Sequence, residues 1–173
     1  ACLLAASPLA AAPGPEPVRT AYTPPASAAP ATAETYSATE VLDAGHAFFG
    51  QVSGNLAAVL ERAFAGLGEP VGYILGEEGS GAFFGGLRYG EGVLHTRSFG
   101  TRRVYWQGPS FGWDFGGDGA RVMMLVYQLP DLATLFQRFT GVNGSAYLVG
   151  GLGMTLLAAD TTYIVPVRAG VGA

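Results

Sequence analysis

Residues 102–130 read RRVYWQGPSFGWDFGGDGARVMMLVYQLP. Both tryptophans of the chain fall here, Trp106 and Trp113, together with the longest apolar run of the folded part, residues 122–127. That run is short for a helix. It is bounded by Gly117-Asp118-Gly119 on one side and Leu129-Pro130 on the other, so length and punctuation favour a strand covered on both faces. A strand at 102–107 and a kinked Gly/aromatic passage precede it. Around this stretch the reading builds a small β-barrel.

Working outward, short apolar or alternating runs separated by glycines begin at Val71. They predict strands near 71–77, 81–88, 91–97, 102–107, 111–116, 120–128, 145–150, 153–158 and 162–168, a spacing that suits a barrel or sandwich better than alternating βαβ units. One short helix is expected after residue 130. Asp131 would cap it, Leu132, Leu135, Phe136 and Phe139 would form its stripe, and Gly141 would end it. Of the 27 glycines, 26 lie beyond residue 44. Turns, bulges and close approach of backbones are the structural reasons for keeping so many.

Two amphipathic helices precede the strands. Ser37-Ala38-Thr39-Glu40 matches a capping box, in which serine and glutamate satisfy each other's exposed backbone donors. Val41, Leu42, Gly45, Phe48, Phe49 and Val52 then follow a 3.6-residue period, and Leu56, Val59, Leu60, Ala63, Phe64 and Leu67 repeat it after a break at Ser53-Gly54-Asn55. Gly66 to Pro70 supplies the stop. The expected class is therefore α+β, mostly β: a small barrel with two N-terminal helices and one short helix.

The first 35 residues are different material. Seven of the 11 prolines lie in residues 1–30. Residues 13–35 have no apolar period and read as a disordered Pro/Ala-rich linker. ACLLAASPLAAA, residues 1–12, resembles the back half of a signal peptide, or a lipoprotein anchor at Cys2, with the front missing. A spanning helix is not expected, since Pro8 and Pro13 interrupt a run already below the roughly 20 residues needed. Residues 36–173 make one domain.

Composition excludes several functions. The net charge is −4 and the nine basic residues are all arginine, which gives no basic face for nucleic acid. Cys2 is the single cysteine, so neither a disulfide framework nor a thiolate metal site is available. His46 and His95 have no partner at metal-ligand spacing. Gly108-Pro109-Ser110-Phe111-Gly112 satisfies the G-x-S-x-G nucleophile elbow in letters, yet both histidines precede Ser110 and no helix can follow it; a Gly-Pro turn is the simpler reading, with a hydrolase using Ser110 as a remote alternative. The carboxylates, Glu77-Glu78, Asp114, Asp118 and Asp160, read as turn and rim residues paired with arginines. No catalytic residue, metal or cofactor is assigned.

GYILGEEGSGAFFGGLRYGEG (72–92), YWQGPSFGWDFGGDGARVMMLVYQLP (105–130), FQRFTGVNGSAYLVGGLGMTLL (136–157) and IVPVRAGVGA (164–173) closely resemble the envelope integrity protein A family of alphaproteobacteria. The resemblance spans about residues 36–173. It implies a soluble periplasmic protein with a small conical β-barrel, supporting envelope integrity and stress resistance without an established enzymatic activity. Members extend beyond Ala173, so the reading expects a barrel truncated at its C-terminus. W-x-G-P-S-x-G (106–112) and the segments after it are similar, more faintly, to the SYLF lipid-binding module, which makes a lipid- or glycan-binding module the alternative. Candidate ligand or interaction residues are Trp106, Trp113, Asp114 and Arg103. The partner is expected to be an envelope lipid, glycan or protein.

Overall fold

The computed structural model describes residues 35–50, 55–81, 87–109 and 120–169. Helix α1 spans Ala38–Phe49, and its capping box forms as the sequence predicts: Ser37 Oγ accepts from the Glu40 amide, and the Glu40 carboxylate accepts from the Ser37 amide. Helix α2 spans Leu56–Leu67. Asn55 precedes it without capping it; the Asn55 amide instead donates to Gly150 O at 3.4 Å, tying the helix to the sheet. Gly45 lets the two helices close on each other, because a Cβ there would stand 2.6 Å from Leu56 Cδ2.

Among the described residues nine antiparallel strands follow: β1 Gly72–Gly81, β2 Leu87–Thr96, β3 Gly100–Pro109, β4 Ala120–Tyr127, β5 Thr140–Gly141, β6 Tyr147–Val149, β7 Leu152–Met154, β8 Leu157–Ala159 and β9 Thr162–Ala169. Their order is β3-β2-β1-β4-β9-β7-β6, with β8 also pairing β9 and carrying β5. Strand β4 sits at the centre and all of Val122–Tyr127 is buried. Successive side chains point to opposite faces. Met123, Leu125 and Tyr127, with Val165 and Val167 of β9, therefore meet the helices through Val41, Phe49, Leu56, Val59, Leu60 and Ala63.

The other face gathers Ile74, Leu94, Val104, Val122, Met124, Val126, Leu129 and Ile164, with Phe99, Trp106, Leu132, Leu135, Phe139 and Leu157 packed against them. Strands from β3 to β8, far apart in the order, share this one cluster, so the sheet curls around it. Each fully buried large aliphatic side chain contributes about 1.5–3 kcal/mol. The two-sided burial of β4 makes it the strand on which both cores depend.

Several boundaries differ from the sequence reading. The strand expected at 71–77 runs on to Gly81, with Gly79 pairing Tyr89 and Ser80 pairing Arg88; of the strand expected at 81–88, residues 82–86 lie outside the described residues and Leu87 and Arg88 open β2. The strand expected at 153–158 is two, β7 and β8, which pair with different stretches of β9. The helix expected after residue 130 is a 3-10 turn, Ala133–Phe136, ended by extended backbone at Gln137. Leu132 rather than Asp131 takes the N-cap position, and Asp131, one residue earlier, accepts from the Thr134 amide at 2.9 Å. The strand expected at 111–116, and residues 1–34 and 170–173, lie outside the described residues. Thr35, the last residue assigned to the linker, donates to Glu69. Among the described residues β3 and β6 each pair on one side, so the sheet is a curled open one rather than a closed barrel. No described helix is long and apolar enough to cross a membrane.

Candidate functional site

Alternation along β1 puts Ile74, Gly76 and Glu78 on the concave face, and the carboxylate of Glu78 is buried there at 5% exposure. A carboxylate out of water is costly unless its lone pairs are met by charged donors. Three partners meet them. Arg168 of β9 donates from Nε to Oε2 at 2.7 Å and from Nη2 to Oε1 at 3.0 Å. Arg88 of β2 donates to Oε2 at 3.2 Å, and Trp106 Nε1 of β3 donates to Oε1 at 2.8 Å. One side chain thereby links β1 to β2, β3 and β9.

Burial by itself would raise the Glu78 pKa, but the hydrogen bonds and charge of Arg168, the Trp106 N–H and the charge of Arg88 outweigh it and hold the carboxyl below its ordinary value. Glu78 is an ionised anchor, with its acceptor capacity committed to these donors. The sequence reading placed Glu77-Glu78 in a turn or at the rim. Both lie inside β1 rather than in a turn; the expected pairing with an arginine holds for exposed Glu77, 4.0 Å from Arg121, and for Glu78, whose burial was signalled by its alternation with Ile74 and Gly76.

The indole of Trp106 reaches Glu78 because the neighbouring strands have no side chains in its way. It pairs with Gly90, and its ring also lies against Gly76, where a Cβ would stand 2.7 Å from Cη2. Trp106 thus belongs to the inner face. Arg103 lies on the opposite and exposed face, where Tyr105 and then Glu91 raise the pKa of its guanidinium. The two candidates are not brought together. Trp113, Asp114 and Ser110 lie outside the described residues.

The histidines are also apart. His46 is exposed on α1, whereas His95 of β2 stacks on Tyr73 with ring centroids 4.9 Å apart, and burial lowers its pKa. Tyr73 in turn meets Tyr36 edge-on, and Arg97 lies over the Tyr36 ring while pairing with Glu40. Among the described residues no group of three His, Cys, Asp or Glu side chains converges as a metal site. A recess of about 40 Å³ lined by Val71, Thr96, Ser98, Phe99 and Leu129 has room for little more than a water molecule.

Comparison with known proteins places this architecture. A solved structure from Brucella abortus, described as a beta-barrel-like, uncharacterized protein, is similar at 56% identity and a TM-score of 0.75, covering 80% of this chain and 86% of that one. A comparison with curated proteins found no match. Envelope integrity protein A matches residues 34–173, which is every described element, and the chain belongs to that family.

Proposed function

We propose that this protein works in the periplasm as a non-enzymatic component that supports envelope integrity and resistance to envelope stress. The family match over residues 34–173 carries the reading. The chemistry of the concave face agrees with it, since the buried ionised group there, Glu78, spends its acceptors on Arg168, Arg88 and Trp106 and holds strands in place. Contact with an envelope component, rather than turnover, is then the mode of action. The curl of the described sheet around the second core supports a conical barrel.

The test is genetic. A strain lacking the protein should grow near normally in rich medium and become sensitive to detergents or cell-wall-directed antibiotics. Complementation should survive Ser110→Ala, His46→Ala and His95→Ala at normal protein levels. Loss of complementation by any of these three in a soluble, fully expressed form would sink the non-enzymatic reading.

A further inference from the structure

The helices cover one face of the sheet only in part. Their cluster draws on β1, β4, β6, β7 and β9, and no side chain of β2 or β3 belongs to it. On this uncovered wing the register sets Tyr105 opposite Glu91 and Tyr89 opposite Gln107, so the two tyrosines are diagonal neighbours. Diagonal pairs stand roughly 7–8 Å apart, within reach of one extended ligand. Tyr105 is 63% exposed and Tyr89 46%. Glu91, Arg103 and Gln107 are exposed around them.

We infer that this outer face of β2 and β3 is a binding platform for a neutral glycan chain. Tyrosine presents an apolar ring face with a polar tip, which suits the C–H face and the hydroxyl rim of a pyranose together. The carboxylate of Glu91, the amide of Gln107 and the guanidinium of Arg103 supply both acceptors and donors for ring hydroxyls. Charge selects the class of ligand. The row through Tyr105, Glu91, Glu77 and Arg121 runs in direct register across four strands, and with Arg103 it holds two negative and two positive groups. A surface that balances to zero, with Glu77 facing Arg121 at 4.0 Å, attracts neither a polyanion nor an anionic bilayer. The envelope reading is used only to place a glycan within reach; binding itself is independent of it.

The full chain would be titrated with N-acetylchitotetraose, cellotetraose and mannotetraose by calorimetry and by amide chemical-shift mapping, and spun with vesicles of phosphatidylethanolamine and phosphatidylglycerol. The expected result is binding of at least one tetrasaccharide, shifts centred on residues 89–107, and no sedimentation with vesicles. Tyr105→Ala and Tyr89→Ala should each weaken binding about tenfold, while Phe136→Ala, at an exposed position of the 3-10 turn, leaves it within a factor of two or so. Failure of all three sugars, shifts elsewhere, or affinity indifferent to both tyrosines would overturn the proposal. So would vesicle binding that disappears with Tyr105→Ala, which would make the wing a lipid surface. A strain phenotype without sugar binding would leave the envelope role standing and remove this one.

Discussion

Gly90 and Trp106 face each other across β2 and β3, and a Cβ added to Gly90 would stand 2.2 Å from the indole Cε2. No real carbon tolerates that separation, so either the indole or the strand must move. The indole is held by its bond to Glu78, which makes its displacement costly in turn. Gly90→Ala should therefore destabilise by about 1–3 kcal/mol, as overpacked cores do, although alanine ordinarily improves a strand position. Urea denaturation checks this. An unchanged or higher midpoint would mean that the indole has another place to go.

Glu78 itself sets the second expectation. Glu78→Gln leaves Arg168 and Arg88 without their shared carboxylate in a buried setting, and breaking such a group by removing one partner costs about 3–5 kcal/mol. Pairing that change with Arg168→Met should cost less than the two single changes added together, because the second removes the charge the first has stranded. Denaturation of the four proteins in a double-mutant cycle gives the coupling. Additive losses would show that the two side chains do not act as a unit.

Acid should unfold the domain, and the direction follows from the groups at hand. Burial tends to raise the Glu78 pKa, yet Arg168, Trp106 and Arg88 bring it below its ordinary value. The backbone of Ser37 lowers that of Glu40, and the backbone of Thr134 lowers that of Asp131. A carboxylate whose folded pKa is depressed adds stability above its unfolded pKa and loses it as pH falls through the folded one. His95, lowered by burial, acts in the same sense from about 6.5 downward. The thermal midpoint should thus decline gently below about pH 6.5 and steeply below about 4.5. Glu78→Gln should begin lower and decline less. A midpoint that rises on acidification would contradict this account.

Legibility in the sequence divides along chain distance. The capping box at Ser37 and Glu40 and the stripes of both helices are local patterns, and each forms over the described residues, with Val52 of the first stripe lying outside them. So does the buried run 122–127, whose length and flanking turns identify it without knowledge of its neighbours. The ionic cluster is another matter, since Glu78 meets Arg88, Trp106 and Arg168 across separations of 10, 28 and 90 residues. Periodicity assigns Glu78 to the face of Ile74, but nothing local says that two arginines from other strands will be waiting there. Alternation along β3 is enough to part Trp106 and Arg103 to opposite faces, but only register gathers Tyr89, Glu91 and Tyr105 around the latter.

Tyr127 closes β4 at 3% exposure, on the face beneath the helices, and among the described residues its hydroxyl has no protein hydrogen-bond partner. Burial of that hydroxyl without a protein partner costs about 1–3 kcal/mol. Tyr127→Phe keeps the ring and discards the stranded group, so it should raise stability by up to about that amount. The alkaline limb offers an independent check. Burial raises the Tyr127 pKa, which means that ionisation is favoured in the unfolded chain first. A raised folded pKa contributes stability that is whole below the unfolded value, about 10, and is lost as pH climbs above it. Denaturation between pH 8 and about 11 should therefore show the wild type losing stability faster than Tyr127→Phe. If the variant were less stable at neutral pH, the hydroxyl would have to be making a bond that compensates for its burial, and the packing under α1 and α2 would need that bond to be found.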